Sequence, residues 1–118
     1  MKTEYFDRLG YLLFVISGQG TQDEAFSTLD QIKEETQSRN VTRLFLDLRA
    51  LQPPKHEFSR YLVGKYLAWI LRPPIKVAAF SNSESVNRFV EDTAANRGAW
   101  IKVFTAETHA LEWLLGER

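Results

Sequence analysis

Asp47 and Arg49 stand two residues apart in the stretch LFLDLRAL. In an extended chain that spacing puts a carboxylate and a guanidinium on one face. Such a pair suits an ionic anchor for a ligand or partner; the alternative is a plain surface pair that contributes little. Beyond it, QPPKHEFS carries His56 and Ser59 to the start of a helix. A nucleophile with its base needs hydrogen-bond contact and a third, orienting group. The sequence marks no such triad and has no G-x-S-x-G elbow, so His56 reads as a solvated loop histidine and Ser59 as a first-turn helix residue. Ser81, Asn82 and Ser83 follow the strand IKVAAF and precede a helix, and Thr105 takes the same position after WIKVF. Free N–H groups at helix N-termini hold anions, and with Arg49 nearby this edge suits a phosphate or carboxylate. Simple capping accounts for Ser81 and Thr105 equally well. The tentative ligand- or partner-binding set is therefore Asp47, Arg49, His56, Ser59, Ser81 and Asn82, with no catalytic residue assigned.

Metal and cofactor chemistry has little support. His56 and His109 are the two histidines and fall on different elements, there is no cysteine, and no H-E-x-x-H spacing occurs. Gly18-Gln19-Gly20 is too short for a phosphate loop and reads as a strand exit. No metal site and no cofactor are expected. The absence of cysteine also removes disulfides and thiol chemistry.

The elements that must position these residues follow from periodicity. Glu4 to Asp7 and Tyr11 to Ile16 pair as a hairpin about Arg8-Leu9-Gly10, with Gly10 at positive φ. Tyr11 to Ile16 is apolar at every position, as an internal strand is. Thr21 and Glu24 form a capping box for a helix whose buried stripe is Phe26, Leu29 and Ile32 and whose end is marked by Asn40. A strand spans roughly Arg43 to Arg49, and Pro53-Pro54 stiffens the loop after it. A helix from about His56 to Leu71 takes Phe58, Leu62, Tyr66, Trp69 and Ile70 as its apolar face, with Gly64 inside it and Pro73-Pro74 beyond it. Ile75 to Phe80 is the next strand. Ser81 with Glu84 then caps a helix that turns Val86, Phe89, Val90 and Thr93 or Ala94 inward and ends at Gly98. Trp100 to Phe104 is the last strand, and Thr105 caps a final helix packing through Ala110, Leu111, Leu114 and Leu115.

This order, a hairpin followed by strand-helix units, predicts an α/β fold: a mostly parallel, mixed sheet of about five strands with about four helices, in a single domain over residues 1–118. Leu44, Leu46, Leu48, Ile75, Val77, Ala79, Ile101 and Val103 share one face of the sheet. Phe45, Asp47, Arg49, Lys76, Ala78, Phe80, Lys102 and Phe104 share the other. Most helices are expected on the Leu/Ile/Val face, which leaves the aromatic and charged face solvated, partly covered or in contact with a partner.

The totals narrow the partners. Fifteen basic residues balance fifteen acidic ones in 118, and 44% of residues are hydrophobic. The hydrophobic share suffices for a core without disulfide or metal staples, and neutrality gives no long-range attraction to nucleic acid or anionic lipid. Tyr11 to Ile16 is too short for a membrane span or a signal-peptide core, and Glu4 and Asp7 precede it. A cytoplasmic protein with no nucleic-acid partner and no integral membrane segment is expected.

VISGQGT with DEAF, then LFLDLRAL, IKVAAF and WIKVFTAETHALEWL, together resemble the STAS-like superfamily, the fold of bacterial anti-sigma factor antagonists, and within it the short stand-alone branch described as STAS-like or CRAL-TRIO-like. The resemblance spans nearly the whole chain. It implies a small α/β domain that binds protein partners and, in some members, nucleotides or lipids. It also implies a phosphorylatable serine about nine residues past the aspartate of the LFLDLRAL strand. Counting from Asp47 reaches His56; Ser59 lies one turn further on and lacks the Asp-Ser-Ser-Gly surroundings. The resulting expectation is a non-enzymatic regulatory or protein-interaction domain that self-associates, a homodimer being one form. A carrier for a small anionic or lipid ligand, held between the Pro-Pro loop, Ser81 and the aromatic helix, is the alternative. An enzyme would need a cleft where His56 or Asp47 meets a nucleophile.

Overall fold

A computed structural model describes residues 1–52, 54–82 and 92–116. Strands β1 (Lys2–Arg8) and β2 (Tyr11–Gln19) form the antiparallel hairpin, turning at Gly10 with φ +90°. Helix α1 (Gln22–Ser38) leads to β3 (Arg43–Gln52), α2 (Glu57–Ile70) leads to β4 (Lys76–Phe80), and a helical stretch at residues 92–96 (α3) leads to β5 (Trp100–Phe104). Helix α4 (Glu107–Leu115) follows β5. The sheet order is β1-β2-β3-β4-β5, and every pair after the hairpin is parallel. The expected α/β class with a five-stranded mixed sheet is what the chain forms.

Sequential strand order has a consequence for the layers. Parallel connections are right-handed, so adding each strand on the same side of the last sends every crossover helix to one face. There Leu12, Phe14, Ile16, Leu44, Leu46 and Val77 meet Leu29 and Ile32 of α1, Leu67, Ala68 and Ile70 of α2, and Ala94 of α3. The prediction that most helices cover the Leu/Ile/Val face is correct. Helix α4 has no strand after it and folds onto the opposite face, where Ala110 and Leu114 pack on Phe45, Ala78 and Phe80. The aromatic and charged face is therefore partly covered.

Capping explains where α1 starts. The Thr21 side chain accepts from the Glu24 backbone N–H at 3.2 Å, and its hydroxyl donates to the Glu24 carboxylate at 3.0 Å. Asn40, at φ 54°, leads the chain out as expected, and Gly98, at φ +95°, follows α3.

Several expectations need correcting. β2 continues through Gly18 to Gln19, because Gly18 (φ +97°) lies so close to the Met1 backbone that a Cβ would meet it at 3.3 Å. β3 likewise runs to Gln52 and absorbs a bulge opposite Val15–Ser17. Thr105 is not the cap of α4; Ala106 holds that position with no side-chain bond. Leu115 stays exposed. The expected Ser81–Glu84 capping box and the inward Val86, Phe89 and Val90 lie outside the described residues.

The largest correction concerns α2. Its buried residues are Gly64, Leu67, Ala68 and Ile70, whereas Phe58 and Trp69 are 68% and 66% exposed and Leu62 and Tyr66 half-buried. The helix carries two apolar stripes. The inner one, with small residues at Gly64 and Ala68, lets the helix lie close to the core. The aromatic stripe is too bulky for that contact and faces outward. On α1, Phe26 is also only half-buried, resting on Tyr66 with ring centroids 4.9 Å apart.

Candidate functional site

All four parallel strands end at the same edge of the sheet, so the loops after β2, β3, β4 and β5 converge there. The residues singled out from the sequence divide into two groups along this edge.

The first group surrounds Asp47, which lies opposite Val15 of β2 and Phe80 of β4. Arg49 closes a fork on it, Nε to Oδ1 at 3.0 Å and Nη2 to Oδ2 at 2.8 Å, and its backbone N–H donates to Oδ1 at 3.2 Å. The Asp47 side chain is well covered, while that of Arg49 is about half exposed. Bonds from the Arg49 guanidinium, ahead of the charge attraction, hold the Asp47 carboxyl below its usual range, and Asp47 in return raises Arg49. The guanidinium also lies over the Phe80 ring, 4.6 Å from its centre. Asn82 donates to the Arg49 carbonyl at 3.2 Å. Ser81 is 3% exposed, and its backbone N–H donates to the Phe104 carbonyl at 2.9 Å. Asp47, Arg49 and Asn82 thus form one connected unit, with Ser81 buried beside it.

The second group lies on the helix-covered side. His56 is the N-cap of α2 without a side-chain cap bond, and Ser59 is in the first turn. Together with Thr21 and Lys55 they border an open cleft of about 310 Å³. Among the described residues no hydrogen bond or ion pair joins His56 or Ser59 to Asp47, and none joins them to each other. The enzyme arrangement, in which His56 or Asp47 meets a nucleophile, is not assembled there. No group of three metal-ligating side chains is found among the described residues.

Three features escaped the sequence reading. Lys76, expected on the charged face, is only 3% exposed. Its Nζ lies over the rings of Trp113 and Trp100, 4.5 and 5.0 Å from their centres, and donates to the Trp113 carbonyl. Burial, with the Arg43 charge adding to it, lowers the Lys76 pKa. The second feature is the outward stripe of α2. Phe26, Leu62, Tyr66 and Trp69 with Lys65 line a shallow groove between α1 and α2. The Tyr66 hydroxyl donates to Asp30, whose carboxylate raises the tyrosine pKa. Arg72 lies over Trp69, 4.7 Å from its ring centre, and Arg97 lies over Tyr61. Phe58 is stacked on Tyr61. Spacing had already grouped Phe58, Leu62, Tyr66 and Trp69; only the side they face was misread.

The third feature is a cavity of about 90 Å³ beneath α1 and α2, lined almost wholly by carbon, with Ile16, Leu29, Ile32, Leu46 and Leu67 among its walls and Arg60 at one side. Arg60 Nη1 donates to the carbonyls of Pro54 and Lys55 at 2.8 and 2.9 Å, tying down the loop after β3. Its Nε is sealed from solvent and has no acceptor. A buried donor left unmet costs about 1–3 kcal/mol. The sequence signal for this residue was available, because Arg60, Val63, Gly64 and Leu67 fall on one helical face.

Comparison with solved structures identifies the fold. An anti-sigma factor antagonist from Mycobacterium paratuberculosis superposes with a TM-score of 0.70 at 16% identity, covering 98% of this chain and 94% of that one. An uncharacterised DUF3478-family protein with a SpoIIAA-like fold, from Shewanella loihica PV-4, gives 0.61 at 16% identity over 96% and 92% of the two chains. The anti-sigma factor antagonist SpoIIAA in its unphosphorylated form gives 0.57 at 11% identity over 98% and 99%. The chain has the STAS-like fold of the anti-sigma factor antagonists over nearly its whole length, as the resemblance implied. No family model and no curated protein matches it. Among the described residues no helix is long and apolar enough to cross a membrane.

Proposed function

We propose that this protein is a non-enzymatic regulatory domain of the cytoplasm that works by binding another protein, and that α2 presents the contact surface. The observation that carries this reading is the outward stripe Phe58, Leu62, Tyr66 and Trp69. These side chains recur at helical spacing on the solvent side, and the two end residues are each about two-thirds exposed. Tyr and Trp are favoured at protein interfaces, where the ring is buried and the polar end stays wet. Lys65, Arg72 and Arg97 flank the stripe, which suits an apolar partner segment bordered by carboxylates. The neighbours of known role are anti-sigma factor antagonists, and this is the same class of activity. His56 and Ser59 begin the same helix and extend the contact to the strand-end edge, with Arg49 and Asn82 as polar contacts on its far side. Asp47 supports Arg49 from within, and Ser81 supports the edge as a buried residue. Self-association through the same stripe is the form a homodimer would take.

The test is affinity capture from the native host with the wild type, a Phe58→Ser/Trp69→Ser double variant and a Lys102→Ala control. One protein retained stoichiometrically by the wild type and control, and lost by the double variant, is the expected result. Equal retention by all three, or no retained protein together with a strictly monomeric sedimentation profile at high concentration, would sink the proposal.

A further inference from the structure

We infer that the outward stripe of α2 receives an acidic amphipathic helix of the partner, which lies along the groove between α1 and α2 with its apolar side on Phe58, Leu62 and Trp69 and its carboxylates on Lys33, Lys65 and Arg72. The inference rests on the partner reading and deepens it by naming the occupant.

Charge selects the partner. Lys65 and Arg72 border the stripe on α2, and Lys33 stands on α1 seven residues past Phe26, on the same helix face. Among the described residues none of these three cations is in an ion pair. Arg72 meets only neutral groups of Trp69, donating to its carbonyl at 2.8 Å and lying over its ring. Asp30, on the α1 side, accepts from the Tyr66 hydroxyl and leaves the face net positive. The chain as a whole is neutral, so the excess of cations is a property of this face. A complementary segment brings carboxylates to both sides of an apolar row. A second copy would set the same cations against themselves, because an isologous contact uses one patch twice.

Backbone chemistry selects the helix. An extended segment gains affinity by adding hydrogen bonds to an exposed strand edge. The backbone of α2 spends its N–H and C=O groups inside the helix, so a strand laid on it would leave its own inward groups unpaired. A helix satisfies its backbone internally and offers side chains alone. The receiving surface has the matching length. Phe58 to Trp69 covers about 17 Å at 1.5 Å per residue, three turns of an incoming helix. Phe26, resting on Tyr66, walls the groove on the α1 side.

The test is a fluorescence-anisotropy titration of two labelled helical peptides with the full chain. Each has about 15 residues, a side-chain cross-link to hold the helix, and Leu at i, i+4, i+7 and i+11; one carries Glu on both flanks and the other Lys. The Glu peptide is expected to bind at least about tenfold tighter than the Lys peptide, and the difference should shrink as salt rises. Phe58→Ser/Trp69→Ser should abolish binding of both, and Lys65→Glu/Arg72→Glu should reverse their order. All four positions are exposed, so the fold should persist, as circular dichroism would show; should a variant unfold, the wild-type comparison of the two peptides decides alone. Equal affinity, preference for the Lys peptide, binding of neither, or Glu-peptide binding that the double serine variant retains overturns the inference. Stripe-dependent sedimentation with phosphatidylglycerol vesicles in place of peptide binding also overturns it and assigns the face to an anionic membrane. A host protein captured through the stripe while neither peptide binds would leave the partner reading standing and remove the acidic helix alone. Preference for the Glu peptide with no host protein captured would do the reverse.

Discussion

At the scale of single residues, the Asp47–Arg49 fork shows how a charged pair can be both structural and available. Asp47 is covered and holds three bonds from Arg49, while Arg49 keeps about half its surface in water and rests on Phe80. Exposure of the arginine limits the energy of the pair to about 1 kcal/mol or less. The direction with pH is fixed. The Asp47 carboxyl titrates below its usual range in the folded protein, so its stabilisation is complete above the unfolded-state value and is lost as pH falls through the folded one. Asp47→Asn is expected to lower stability by up to about 1 kcal/mol near neutrality, and the gap to the wild type should narrow as pH falls below the ordinary carboxylate range and through the lowered folded-state value. Urea unfolding of both proteins near neutrality and in acid measures this; a gap that persists in acid would assign the effect to packing instead. Lys76 has the opposite sign, since burial lowers its pKa. A lysine that is harder to protonate when folded opposes folding while charged, and stability recovers as pH rises from the folded pKa toward the ordinary lysine value. Lys76→Met is therefore expected to cost no more than about 1 kcal/mol near neutrality, because the lost bond to Trp113 is offset by relief of desolvation. The stability difference should move in the wild type's favour as pH rises from the folded-state pKa toward the ordinary lysine value, read by the same unfolding measurement.

At the scale of elements, α2 is where periodicity was insufficient. Both of its apolar stripes satisfy helical spacing, and bulk pointed to Phe58, Leu62, Tyr66 and Trp69 as the core. Close packing reversed that choice, because the space between α2 and the sheet admits Gly64, Leu67 and Ala68 but not a row of aromatic rings. The contrast can be measured. Leu67→Ala is expected to cost about 2–5 kcal/mol, and Trp69→Ala to change stability by no more than about 0.5 kcal/mol. Comparable losses in chemical unfolding would mean that the outer stripe belongs to the core after all. Misreading α2 also hid Arg60, since placing the aromatics inward turns the inner face, arginine included, toward water. The caps of α1 were legible, because a hydroxyl and a carboxylate three residues apart satisfy N–H groups locally whatever the tertiary context. Thr105 had the residue type of a cap, but α4 starts one residue later than that role requires, and nothing in the local sequence decides between Thr105 and Ala106.

At the scale of the whole molecule, the chain forms three layers: α1, α2 and α3 on one face of the sheet and α4 on the other. Helix α4 is the one helix described on its side, and Leu114 is fully buried within that smaller core. Leu114→Ala is expected to cost about 2–5 kcal/mol; a loss under about 1 kcal/mol in urea unfolding would show that α4 is a loose cover. The sequence by itself determined the α/β class, the hairpin turning at Gly10 and the composition of each sheet face. These rest on period-two and helical repeats and on turn residues, which act over a few positions and are visible in one dimension. Strand order, the outward turn of the α2 aromatics, the burial of Lys76 and the unmet Nε of Arg60 were decided only in the tertiary structure. Each depends on which distant segments share a volume, and short-range spacing carries no information about that. The strand-end residues illustrate the division. Asp47 and Arg49 could be placed on one face from their spacing alone. That they bond to each other and to Asn82, apart from His56 and Ser59, follows from the packing of helices on opposite sides of the sheet.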